Sequence, residues 1–89
     1  MVLAKIKVRG LVQGVGFRYY CYKRASELGL NGYAKNLMTG EVEVEVEGEM
    51  GMIDEFLKTL KIGPPASRVA EVNVDFMEFE NKYSGFNMH

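Results

Sequence analysis

The 89-residue chain contains one cysteine, one histidine, two prolines and no tryptophan. With Cys21 alone, an internal disulfide and a cysteine-built zinc cluster are both excluded. The single histidine, His89, stands last in the sequence, so the body of the chain offers no imidazole for acid–base work. Neither sign of charge dominates: 11 Lys and Arg face 12 Asp and Glu, for a formal net charge of −1. That balance excludes a general field for nucleic acid or acidic lipid, so any anion site must be local. No apolar run approaches the roughly 20 residues of a membrane span, and the Met1–Lys7 stretch is too short in apolar length for a signal peptide. The expectation is a cytoplasmic protein, monomeric in the simplest reading, that relies on packing rather than cross-links. Its apolar share of 47% suits one domain spanning 1–89 with one modest core.

What is present is strong patterning. Ala4, Ile6 and Val8 alternate with Lys5, Lys7 and Arg9, which predicts a half-buried strand over 3–9. Three glycines in the seven residues from Gly10 to Gly16 predict a loop. Phe17, Cys21, Ala25 and Leu28 then fall at helical spacing, and Gly29 is a natural stop. A strand over 32–37, a turn at Met38–Gly40 and a strand carrying Val42, Val44 and Val46 make a hairpin. Glu41, Glu43, Glu45 and Glu47 alternate with those valines and are expected to form a solvated face, not a metal site or a disordered tail. Ile53, Phe56, Leu57 and Leu60 predict a second helix over 50–61, closed by Gly63, Pro64 and Pro65. Ala70, Val72, Val74 and Phe76 mark another strand, and Phe86–Met88 is a candidate short fifth one. The order β-α-β-β-α-β is that of an α+β, ferredoxin-like sandwich: a four-stranded antiparallel sheet with two helices on one face.

The loop before the first helix carries the chemistry. Its glycines let main-chain N–H groups converge on one point, and it opens into a helix N-terminus whose free N–H groups and dipole favour an anion. Arg18 sits in that first turn, where a cation is disfavoured by roughly 0.3–1 kcal/mol. A bound phosphate reverses the sign, and the guanidinium fork matches phosphate oxygens. A tight connection with Arg18 as a plain surface residue accounts for the same generic features about equally well. The better-known phosphate motifs fail: the loop ends Gly16-Phe17-Arg18 where a P-loop needs Gly-Lys-Ser/Thr, and Tyr19 is too large for a dinucleotide fingerprint starting at Gly14.

Two longer stretches decide between these readings. Residues Val8–Arg18 resemble the first acylphosphatase signature along its whole length, and Gly32–Val42, followed by Gly48, resembles the second. The deduced topology is also that family's, so the resemblance covers nearly the whole chain. It implies that the amides of Gln13, Gly14, Val15, Gly16, Phe17 and Arg18 cradle a substrate phosphate, that the Arg18 side chain holds it, and that Asn36 orients the attacking water. From the residues alone, Asn36 reads as a strand-end or turn residue beside a hairpin. Two departures stand out: the chain ends in His89 where relatives carry a basic residue or tyrosine, and Gly16 occupies a position that is often bulkier.

The resemblance implies hydrolysis of acyl phosphates without cofactor or metal, with phosphate or sulfate as product-like ligands and no nucleic-acid or membrane partner. Cys21 lies on the core face of its helix and reads as a small hydrophobe rather than a nucleophile. Tyr19, Tyr20 and Tyr22 have no assigned role. Two rivals share the topology. One is a non-catalytic binding module, such as an RNA-binding sheet, which the glutamate ladder opposes. The other is an acylphosphatase-like carbamoyl-phosphate domain of a longer, multidomain chain.

Overall fold

The computed structural model describes residues 1–89. Its elements follow the order β1 (Val2–Leu11), α1 (Phe17–Glu27), β2 (Asn31–Asn36), β3 (Val42–Gly48), α2 (Met50–Ile62), β4 (Arg68–Glu78) and β5 (Phe86–Met88). The sheet order is β4-β1-β3-β2-β5. β1 pairs antiparallel with β3 and β4, and β2 antiparallel with β3. The short fifth strand is present and joins β2 in parallel, Gly32 opposite Phe86.

The period-2 pattern decides which face is buried. Ala4, Ile6 and Val8 of β1 lie opposite Val46, Val44 and Val42 of β3, all fully buried beneath the helices. α1 contributes Phe17, Cys21 and Ala25 to this layer, and α2 contributes Ile53, Phe56 and Leu60. Each large side chain removed from water contributes about 1.5–3 kcal/mol, so this layer is the chief source of stability. β4 is an edge strand with thinner cover: Val72 and Val74 are only partly buried, and Phe76 is largely exposed.

One expectation fails on the opposite face. Glu45 and Glu47 are not solvated. The connection from β4 at one edge to β5 at the other passes over the helix-free face of the sheet. Glu47, only 2% exposed, accepts the main-chain N–H groups of Glu80 and Asn81 at Oε2 (2.8 and 2.9 Å) and of Lys82 at Oε1 (2.8 Å). Glu45 accepts the Tyr83 hydroxyl, lies 3.2 Å from that of Tyr33 and 3.5 Å from the Lys82 ammonium. Charged groups bury only when partnered, and this crossover supplies the partners.

Candidate active site

The loop between β1 and α1 is pinned at both ends by core residues. Val12 is buried where the chain leaves β1, and Phe17 where it enters α1. Between them the backbone turns through left-handed angles at Gly14 (φ 74°) and Gly16 (φ 79°). A Cβ at either position meets no neighbouring atom, so the demand for glycine is conformational rather than steric. A side chain there costs roughly 1–2 kcal/mol in backbone strain. Gly16 is also the N-cap of α1, and its carbonyl accepts the Tyr20 N–H at 3.0 Å.

The result is a run of unused donors. None of the main-chain N–H groups from Gln13 through Arg18 donates to a protein acceptor. Those of Phe17 and Arg18 belong to the first turn of α1, which has no side-chain cap and no acidic residue. Six consecutive amides thus point to no partner within the protein, at the positive end of a helix dipole.

Arg18 and Asn36 both line the cavity of about 330 Å³ that opens beside these amides, together with Gly14 and Gly16. Asn36 is the last residue of β2, opposite Val42, so the sheet register sets its depth. Arg18 is steadied from a place the sequence does not advertise. Its Nη1 donates to the main-chain carbonyl of His89 at 2.7 Å. That carbonyl is positioned because β5 is stitched to β2, with the His89 N–H donating to Ala34 at 2.8 Å. A guanidinium has five N–H donors, so the remaining ones can serve a phosphate.

The side chain of Gln13 has a role that sequence reasoning missed. Its Nε2 donates to the carbonyls of Leu37 (2.7 Å) and Glu41 (2.9 Å). Those two residues flank the β2–β3 turn, whose own Leu37 N–H to Glu41 bond is 2.9 Å. Gln13 therefore ties the amide loop directly to the residue after Asn36. No signal in the sequence separates this glutamine from one facing water.

The tyrosines divide. Tyr20 packs against Phe17, 5.9 Å between ring centres, and donates its hydroxyl to the Thr59 carbonyl at 2.9 Å. Tyr22 packs near Phe86. Tyr19 lines the cavity. Cys21 is buried beneath them, and burial pushes its thiol up to about 12, which leaves negligible thiolate at neutral pH.

A second cavity, of about 350 Å³, opens on the helix-free sheet face among Lys5, Lys7, Glu43, Glu45, Asn73 and Asp75, where the charges offset one another. Lys5 and Lys7 lie opposite Glu45 and Glu43 on one side and Asp75 and Asn73 on the other, and Arg9 pairs with Glu71 at 2.7 Å. This compensated face lacks the basic stripe that a nucleic-acid backbone requires. No group of three His, Cys, Asp or Glu side chains is gathered for a metal, and no helix is long and apolar enough to cross a membrane.

Comparison with known proteins gives the family. The family model Acylphosphatase matches residues 4–88. A relative named acylphosphatase, from Archaeoglobus fulgidus, is 46% identical over 99% of this chain and 98% of its own length. The crystal structure of acylphosphatase from Bacillus subtilis superposes with a TM-score of 0.97 at 34% identity, covering 100% of this chain and 99% of that one. Full-length HypF, crystallised in a phosphate- and nucleotide-bound form, is similar over 99% of this chain at a TM-score of 0.89 and 34% identity, but only 12% of HypF is covered.

Proposed function

As a member of the acylphosphatase family the chain is a hydrolase of acyl phosphates, and we propose that it works through Arg18, Asn36 and the amides of Gln13–Arg18. The observation that carries this assignment is the run of six partnerless N–H groups beside a guanidinium at a helix start. A tetrahedral dianion offers the acceptors that such a run of free donors at a helix N-terminus favours.

In the proposed reaction the phosphate dianion lies against the amides, with Arg18 on its equatorial oxygens. Asn36 holds a water in line with the phosphorus–acyl oxygen bond. The water oxygen bonds to phosphorus as that bond breaks, and the pair of electrons leaves with the carboxylate. The water's proton passes to a phosphate oxygen, so no protein base is required, and the products are carboxylate and inorganic phosphate. Rate comes from positioning and from donors aimed at the charge that develops on phosphorus. The leaving carboxylate is already a weak base, and the site holds no His, Cys or carboxylate among its lining residues. We assign no metal or cofactor to the step, inorganic phosphate and sulfate as ligands of the same amides, and a monomeric single-domain cytoplasmic enzyme as the working form. Relatives matched end to end, against the 12% coverage of HypF, favour the independent hydrolase over a carbamoyl-phosphate-binding segment of a longer protein.

Turnover of benzoyl phosphate, with inorganic phosphate as competitive inhibitor, tests the assignment. Arg18→Ala removes both phosphate affinity and turnover, while Asn36→Ala lowers kcat with the inhibition constant for phosphate nearly unchanged. Wild-type rates in both variants refute these roles, and strong loss of activity in EDTA refutes metal independence.

A further inference from the structure

The cavity has a side that the phosphate chemistry does not use. Val12 and Phe17 contribute to its wall, and both are explained by the core, at 1% and 2% exposure. Tyr19 and Met88 also line it, and the core explains neither. Tyr19 is 59% exposed and Met88 48%, on α1 and β5 respectively. The Tyr19 hydroxyl has no protein hydrogen-bond partner, and its one aromatic neighbour is Tyr22 of the same helix, 6.1 Å away. Its neighbours Tyr20 and Tyr22 are engaged with α2 and Phe86. Two large side chains, an aromatic ring and a thioether, thus stand open to water in the cavity that Arg18 lines.

We infer that Tyr19 and Met88 form the acyl subsite, selecting uncharged, flat, apolar acyl groups over small or carboxylate-bearing ones. The inference rests on the phosphate position proposed above. An acyl phosphate has a tetrahedral dianion at one end and the acyl group at the other. With the phosphate on the Gln13–Arg18 amides, the acyl group projects along the rest of the same cavity. A volume of about 330 Å³ sits at the lower end of small-ligand sites and leaves room for a ring beside the phosphate. The Tyr19 ring offers a face for stacking, and the Met88 thioether makes favourable contacts with an aromatic edge. A second carboxylate on the acyl group finds no counter-ion here, because Arg18 is the only cation lining the cavity and is committed to the phosphate and His89. Both residues lie at the surface, so they grade acyl groups rather than exclude them.

The test compares kcat/KM for benzoyl, acetyl and 3-carboxypropanoyl phosphate. The wild-type protein should prefer benzoyl phosphate and turn over the carboxylated substrate most slowly. Tyr19→Ala and Met88→Ala should each lower the benzoyl-to-acetyl ratio about three- to tenfold. Acetyl phosphate turnover and inhibition by inorganic phosphate should stay within about twofold of wild type. Tyr19→Phe should keep the ratio, since the ring and not the hydroxyl is used. Tyr19→Lys should raise the carboxylated substrate relative to acetyl phosphate. An unchanged benzoyl-to-acetyl ratio in Tyr19→Ala overturns the subsite while acetyl phosphate turnover leaves the phosphate assignment standing. An equal fall for every substrate also overturns it, since that reports damage to the cradle rather than loss of acyl contact.

Discussion

Two stretches of this chain present runs of main-chain N–H groups, and the protein treats them in opposite ways. At Glu80–Lys82, where Asn81 takes a positive φ of 52°, three successive amides close on the buried carboxylate of Glu47. At Gln13–Arg18, six successive amides have no acceptor within the protein. Both are runs of backbone donors, and the first is an anion nest with its anion in place. The first is filled from within and holds the β4–β5 crossover onto the sheet. The second faces no acceptor of the protein, and the chain places a cation, Arg18, at the positive end of α1 beside it. The same donor chemistry is structural in one place and, in the reaction proposed above, serves the substrate in the other, and the difference is whether a carboxylate of the protein reaches it.

The strongest way to break this contrast is at the open nest. Arg18→Ala should lower kcat/KM by about 10²–10³-fold, the usual consequence of deleting one donor to a developing anion. The urea midpoint should barely move, because the guanidinium is exposed and its only protein bond goes to the His89 carbonyl. A large drop in stability with modest loss of rate would place Arg18 with the structural nest instead.

The filled nest should respond in reverse. Glu47→Gln keeps the shape but faces one or more of the three amides with an NH₂ group. Loss of charge-assisted bonds at a buried site should cost about 2–3 kcal/mol in urea unfolding. Benzoyl phosphate turnover by the folded variant should remain at the wild-type level. A parallel fall in turnover would show that the two nests are coupled through β3 and β2.

Gln13 sharpens the comparison, since it belongs to the open nest by its amide and to the structural frame by its side chain. Gln13→Met preserves length and removes both bonds to Leu37 and Glu41. The expected result is a fall in kcat of about tenfold with phosphate inhibition within twofold, because Asn36, proposed to hold the water, loses its fixed distance from the amide loop. Equal losses in kcat and phosphate affinity would show that the side chain supports only the loop.

These contrasts also explain how far the sequence could be read. The buried faces of β1 and β3 were legible because alternation is a local property, and so was α1 from Phe17, Cys21 and Ala25. Arg18 stood out because a cation in the first turn after a glycine loop contradicts the local electrostatics. Asn36 carried no such contradiction and was named only through the family resemblance. Glu43, Glu45 and Glu47 follow one alternation, yet their surroundings differ, because the segment that covers Glu47 arrives from 33 to 35 positions along the chain. Gln13 and His89 were illegible for the same reason: their partners lie 24 to 71 residues away. Periodicity reports which side of an element is apolar. It does not report which polar residues a later segment will cover.

Glu45 gives the smallest expected effect and links that covering segment to pH. Burial pushes its carboxyl up, but the Tyr83 hydroxyl, the Lys82 ammonium, the Tyr33 hydroxyl and Lys5 together outweigh burial and hold it below its ordinary value of 4.5. A carboxyl held low in the folded state stabilises the fold above its unfolded value, and that contribution fades as pH falls through the folded value. Glu45→Gln should therefore lower stability modestly at neutral pH. It should also flatten the decline of the urea midpoint as pH falls below 4.5, since the variant has no proton to take up there. Tyr83→Phe should reproduce part of the flattening by removing one of the groups that hold the carboxylate ionised. Identical pH slopes in all three proteins would show that the Glu45 carboxylate adds nothing to the hold on the crossover, leaving it to Glu47 and the contacts of Tyr83 and Gly85.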